Sequence, residues 1–298
     1  MIACIPEEYW TLDAKLRSEG RNTPLTAKFY GDKSEKLTIH SQEELNEILR
    51  KLEGAEYRVE DVKQGERVKK APIPFTTSTL QQEASKNLNF STQKTMRLAQ
   101  QLYEGVDVKG RGTVGLITYL RTDSTRVAEE ADAAAKSFIG EHYGDQYVAG
   151  EERAKKTSGK IQDAHEAIRP TDITLTPAMV KDSLSRDLFR LYQLIWKRFT
   201  ASRMKPAVYE TTSVKIGAAE YLFTLTASKL AFDGFMSVYV DEDDKEENNV
   251  LLNSLKVGDV LPLKELEYGQ HFTQPPAHYT EASLVKALEE QGIGRPST

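Results

Sequence analysis

The chain has 298 residues, 39% apolar and 29% charged, with a net charge of −5, a length that can bury a substantial core and more than one domain. It contains no run of about 18 apolar residues, which excludes a membrane-spanning helix, and nothing near Met1 reads as a signal peptide. The single cysteine, Cys4, excludes an intrachain disulfide and a cysteine-rich zinc site.

These features point to the cytoplasm. In chain order, residues 9–64 read as strand-rich: strands over Tyr9–Leu16, Leu25–Tyr30 and Tyr57–Val62. A helix over Ser41–Leu52 has Ser41 as N-cap and Glu44 completing a capping box. The prolines of KKAPIPF (69–75) mark a boundary. Residues 76–205 read as mostly helical. Thr79 caps one helix, with Gln82 three residues on, and Ser91 caps the next. The alanine-rich stretch Ser124–Phe138 predicts another, and Thr176-Pro177 is a specific start signal. Leu188, Leu191, Tyr192, Ile195 and Phe199 mark one face of a long helix. Strands return over Val208–Ile216, Tyr221–Ala227 and Phe235–Val240, and a helix is expected over Thr280–Gln291. The fold class is therefore α+β and multidomain. Residues 1–75 and 206–279 are expected to form one discontinuous strand-rich domain, 76–205 an inserted helical domain, and 280–298 the start of a further helical segment.

The net charge hides an asymmetry. Between Glu66 and Arg126 ten Lys/Arg face five Asp/Glu, a local balance of +5 in an acidic protein. Screening confines fields to roughly 8–10 Å at physiological salt, so the local sign decides whether a polyanion is attracted.

Inside that basic window lies GLITYLRTDST (115–125). In an extended chain, residues i and i+2 share a face about 6.6 Å apart. This puts Tyr119, Arg121 and Asp123 on one side and the anchoring Leu116, Thr118 and Leu120 on the other. A phenol has a pKa of about 10 and needs help to attack at neutral pH. A guanidinium stabilises the phenolate and grips a phosphate through its planar fork. The pattern suits attack on a phosphodiester. It equally suits a surface aromatic beside an Arg121–Asp123 salt bridge, and spacing alone leaves both open.

Three other groups carry possible chemistry. In QDAHEAIRPTD (162–172), His165 and Arg169 would share a face if this were a helical turn, where they could hold a phosphate oxygen. The alternative there is a structural histidine beside a solvated carboxylate. GIGRPST (292–298) offers Arg295, Ser297 and Thr298 as phosphate donors, or simply a helix C-cap at Gly292. Glu242, Asp244 and Glu246 alternate like a Mg²⁺ carboxylate set, but no apolar scaffold surrounds them, and a solvated acidic loop is the better reading.

Five stretches together, APIPFTTSTLQQEA (71–84), TMRLAQQLYEG (95–105), GLITYLRTDST (115–125), AHEAIRPTD (164–172) and PPAHYTEASLVKALEEQGIGRPST (275–298), resemble the bacterial type IA DNA topoisomerases in order and spacing. The resemblance covers nearly the whole chain. It implies an arch-shaped toroid segment whose inserted helical domain carries the active-site tyrosine. It implies Tyr119 as the nucleophile forming a 5′-phosphotyrosine link, with Arg121 positioning the phosphate. Asp123, His165 and Arg169 would support the site, and Arg295 and Thr298 would contact single-stranded DNA. It further implies ATP-independent relaxation of negatively supercoiled DNA in the bacterial cytoplasm, at the nucleoid, with no membrane partner.

The family also carries an N-terminal Toprim domain that binds Mg²⁺. No such domain precedes Met1, and the chain stops within GRPST. The expectation is a piece that holds no metal itself, lacks its Toprim partner and is inactive alone. A non-catalytic single-stranded-DNA-binding module is the alternative description, and a purely structural arch a further one. A tyrosine recombinase also combines Tyr, Arg and His, but usually places its tyrosine after them, whereas Tyr119 precedes His165 and Arg169.

Overall fold

The computed structural model describes residues 5–18, 24–150, 165–241, 252, 254–275 and 277–293. In chain order the elements are β1 (Glu8–Arg17), β2 (Pro24–Asp32), α1 (Gln42–Leu52), β3 (Arg58–Lys69), α2 (Thr77–Leu88), α3 (Thr92–Glu104), β4 (Val106–Val108), β5 (Gly112–Val114), α4 (Glu129–Tyr143), α5 (Pro177–Val180), α6 (Arg186–Ser202), β6 (Ala207–Ala218), β7 (Tyr221–Phe232), β8 (Leu263–Phe272) and α7 (Glu281–Glu290). They divide between two compact units. One comprises Met1–Arg67, Val208–Ala231 and Lys245–Ala277, the other Val68–Ala207, Phe232–Asp244 and His278–Thr298.

The first unit is built on a sheet ordered β3-β6-β7-β2-β1-β8. β1 pairs antiparallel with both β2 and β8, and β2 pairs antiparallel with β7. The period-2 pattern of β1 buries Leu12, Ala14 and Leu16 on one face. Against that face lie Leu45, Ile48 and Leu52 of α1, in one core with Leu25, Tyr57 and Phe223. Ser41 caps α1 as expected, accepting the Glu44 N–H. The Glu44 carboxylate, however, accepts the N–H of His40 at 2.8 Å, so the return bond of the capping box lands one residue early. A two-residue turn joins β6 to β7, and Ala219 in it has φ +51.

The second unit is mainly helical, with a core that includes Leu80 of α2, Leu98 and Leu102 of α3, and Leu191, Ile195 and Phe199 of α6. Ser91 and Thr176 cap α3 and α5 as expected. Three expectations are corrected. Helix α2 begins at Thr77 rather than after Thr79. Thr76 is the N-cap, and Thr79 is the third helical residue, whose hydroxyl returns the capping bond. The alanine-rich helix begins at Glu129 rather than at Ser124. The Thr122 hydroxyl accepts the Ser124 N–H and the Ser124 hydroxyl accepts the Arg126 N–H, each at 3.1 Å. Such local side-chain turns compete with helix formation and hold 122–126 irregular. The segment 235–240 is not a strand: Gly234–Ser237 is a 3₁₀ turn. It starts at Gly234 with φ +51, where a Cβ would lie 2.4 Å from the Pro206 carbonyl. At α7, Gln291 is the C-cap, and Gly292 follows it with φ +67 while the Ile293 N–H returns to the Leu288 carbonyl, so this glycine closes the helix end. Arg295 and Thr298, and the acidic positions Glu242, Asp244 and Glu246, lie outside the described residues.

Candidate active site

The site lies in the second unit, where stretches of chain far apart in sequence meet. The segment 115–122 is not a full strand, since β5 ends at Val114. It is extended and pinned residue by residue. The Leu116 N–H donates to the Leu102 carbonyl at the end of α3 at 2.8 Å. The Thr118 N–H donates to the Arg169 carbonyl at 2.9 Å, and the Thr171 N–H to the Leu116 carbonyl at 3.0 Å. The Thr118 hydroxyl donates to the Ala167 carbonyl and the Thr171 hydroxyl to the Gly115 carbonyl, each at 2.7 Å. Thr77, the first residue of α2, holds the far end: its hydroxyl donates to the Leu120 carbonyl and accepts the Thr122 N–H.

Side chains complete this anchoring. Leu116, Ile117 and Leu120 are buried among the apolar residues of α3 and α6. Burial stabilises each by roughly 1.5–3 kcal/mol. From Tyr119 onward the expected alternation holds: Tyr119, Arg121 and Asp123 are exposed, Leu120 and Thr122 buried. Ile117 departs from it, because it bridges to Pro170 and packs inward. Tyr119 is 46% exposed and open to solvent. Arg121 and Asp123 form no salt bridge with each other or with any described residue, so the surface-pair reading of that stretch is not what the structure shows.

The segment 165–171 is extended, not a helical turn, so His165 and Arg169 do not share a helix face. Ile168 bridges to Phe75 and Pro170 to Ile117. His165 is exposed, and its carbonyl accepts from the Arg126 guanidinium at 3.3 Å. Arg169 is 9% exposed and turned inward. It donates to both carboxylate oxygens of Glu166, at 2.9 and 3.1 Å, and to the Pro170 carbonyl at 3.1 Å. The same Glu166 accepts the N–H of Ala128, the cap residue of α4, which has no side-chain cap of its own. Burial pushes the Glu166 carboxyl up more than any other single influence. The bonds from Arg169 and Ala128 and the charges of Arg169 and Arg126 together outweigh it and hold the group below its ordinary value.

Arg169 is therefore an internal brace, and Glu166, overlooked in the sequence reading, is its counterpart. The three-residue spacing in HEAIRP gave no signal for it, because residues three apart in an extended segment lie on opposite faces. Tyr103, at the end of α3, was also overlooked. Its ring lies 5.3 Å from that of Tyr119 at 65°, edge to face. Among the described residues no group of three or more His, Cys, Asp or Glu side chains could hold a metal ion, and they do not fit a Mg²⁺ site.

The family model for DNA topoisomerase matches residues 2–298. The full-length topoisomerase I of Thermotoga maritima, in a monoclinic crystal form, is similar in structure with a TM-score of 0.80 and 39% sequence identity. The match covers 100% of this chain and 46% of that one. With the motifs, the fold and this match in agreement, the chain belongs to the bacterial type IA DNA topoisomerase family.

Proposed function

We propose that Tyr119 is the nucleophile of a DNA strand-passage reaction. The observation that carries this reading is an exposed phenol on a segment whose backbone is fixed from α2, α3 and 165–171, with an exposed guanidinium two residues on that has no ion-pair partner among the described residues. The Tyr119 phenol gives up its proton to solvent as its oxygen attacks a backbone phosphorus, the bond from phosphorus to the 3′ oxygen breaks, that oxygen takes a proton from solvent to become a hydroxyl, and the 5′ phosphate remains on the tyrosine. Arg121 offers its fork to the phosphate and favours the phenolate. His165 and Asp123, both exposed, support the bound strand, and Arg169 supports them from beneath by fixing the 165–171 backbone. The covalent ester conserves the bond energy, so the freed 3′ hydroxyl reseals the strand without ATP. The helical unit would carry this tyrosine on a mobile arch through which another strand passes, relaxing negatively supercoiled DNA in the cytoplasm. Magnesium would be held by residues other than those described.

The test uses a 3′-labelled single-stranded oligonucleotide and the full-length protein with Mg²⁺. Label should stay on the protein after denaturation, and Tyr119→Phe should abolish capture. Capture that survives in Tyr119→Phe would sink the reading.

The match to 46% of a longer relative favours a second reading for these 298 residues by themselves. Alone they act as a salt-sensitive single-strand binder without cleavage, requiring a Toprim partner for chemistry. Robust plasmid relaxation by the purified 298-residue chain would contradict it.

A further inference from the structure

We infer that Tyr103 is a positioning residue for the nucleophile: its ring, set edge to face against Tyr119, limits the orientations of the Tyr119 phenol before DNA binds. This rests on the reading of Tyr119 as nucleophile and adds a residue to it.

The backbone around the pair is built to bring the rings together. A Cβ on Gly115 would lie 2.8 Å from the Tyr103 carbonyl oxygen, and one on Gly105 would lie 2.8 Å from the Thr113 methyl. Only glycine at 115 lets the last turn of α3 approach the start of the nucleophile segment so closely. The Leu116 N–H then bonds to the Leu102 carbonyl, next to Tyr103 in the chain. Both backbones are thus tied together within four residues of each ring.

The rings themselves are 40% and 46% exposed, so neither is held by burial. A half-exposed tyrosine on a fixed backbone still samples its rotamers, and each unproductive orientation lowers the fraction poised for attack. The centroid distance of 5.3 Å and the 65° tilt fit an aromatic edge-to-face pair. Among the described residues Tyr119 makes no other ring contact, so Tyr103 is its one aromatic restraint there. The restricting element is the ring of Tyr103, not its hydroxyl.

The test is single-turnover cleavage of the same 3′-labelled oligonucleotide, at saturation, by full-length wild type, Tyr103→Phe, Tyr103→Leu and Tyr119→Phe. Tyr103→Phe should cut within about twofold of wild type, and Tyr103→Leu about three- to tenfold more slowly, with the Kd for the oligonucleotide unchanged. Tyr103→Met takes the place of Tyr103→Leu if melting shows that leucine disturbs the fold. In the 298-residue chain, the Tyr119 ring resonances should shift when Tyr103 loses its ring. Wild-type rates in the leucine or methionine variant would overturn the inference. So would a loss confined to Kd, which would make Tyr103 a base-stacking platform, a Phe variant as slow as Leu, or unmoved Tyr119 resonances. Label capture in Tyr119→Phe would instead defeat the nucleophile reading itself, so the two failures are distinct.

Discussion

The buried hydroxyl of Thr77 donates to the Leu120 carbonyl at 2.7 Å and accepts the Thr122 N–H at 2.8 Å. One side chain thus satisfies both faces of the turn that follows Tyr119. Thr77→Val keeps the shape and removes the hydroxyl, leaving the Thr122 N–H and the Leu120 carbonyl without that partner. The expected loss is about 1–3 kcal/mol, read as a lowered denaturant midpoint. Hydrogen exchange at the Thr122 amide should accelerate more than the global loss accounts for. A variant as stable as wild type would show that the hydroxyl is dispensable.

Glu166 ties folding to acid. Its carboxyl is held below its ordinary value in the folded chain, so between the folded and unfolded values the unfolded chain binds the extra proton. Stability from this group is present above the unfolded carboxyl pKa of about 4.3 and is lost as pH falls through the lower folded value. Wild type should therefore lose melting temperature on acidification more steeply than Glu166→Gln does. Parallel profiles would contradict this. At neutral pH, Arg169→Ala strands Glu166 half-buried and should cost about 3–5 kcal/mol.

Tyr57 has an oxygen that is buried with no hydrogen-bond partner among the described residues, and burial pushes its phenol up to about 12. The ring packs against Phe223 at 5.6 Å, and that contact survives in Tyr57→Phe. Removing an orphaned hydroxyl should stabilise the strand-rich unit by about 1 kcal/mol in thermal or denaturant melts. A clear destabilisation would point to a partner for that oxygen.

Ala219 sits in the β6–β7 turn with φ +51, where a Cβ is disfavoured by roughly 1–2 kcal/mol. Glycine relieves this but costs roughly 0.5–1 kcal/mol in chain entropy. Ala219→Gly should therefore gain about 0.5–1 kcal/mol in denaturant melts of the strand-rich unit. Loss of stability would show that the Ala219 methyl makes a compensating contact.

How far these features were legible depends on the range of the forces that set them. The caps at Ser91 and Thr176 are local, and the sequence shows them directly. So is the alternation from Tyr119 to Asp123, which the structure repeats as exposed, buried, exposed. The start of α4 failed because the alanines at 131 and 133–135 set the helical expectation for the whole stretch, while the hydroxyls of Thr122 and Ser124 capture the backbone before it. The roles of Arg169 and Tyr103 were hidden for a different reason. Neither spacing nor propensity records that Arg169 turns inward to Glu166, or that α3 ends against residue 115. Those facts are set by tertiary packing, and only the small size of Gly115 hints at the second.

Most of the bonds that join the segments around Tyr119 span 43 to 56 residues of chain, from Thr77 to Leu120 up to Thr171 to Gly115. Each such contact closes a large loop and carries an entropic cost that a local helical turn does not. A nascent or partly unfolded chain therefore carries the tyrosine but not the rigid frame that aims it. The presentation of Tyr119 is in this way conditional on a finished tertiary frame, and the local helices alone do not supply it.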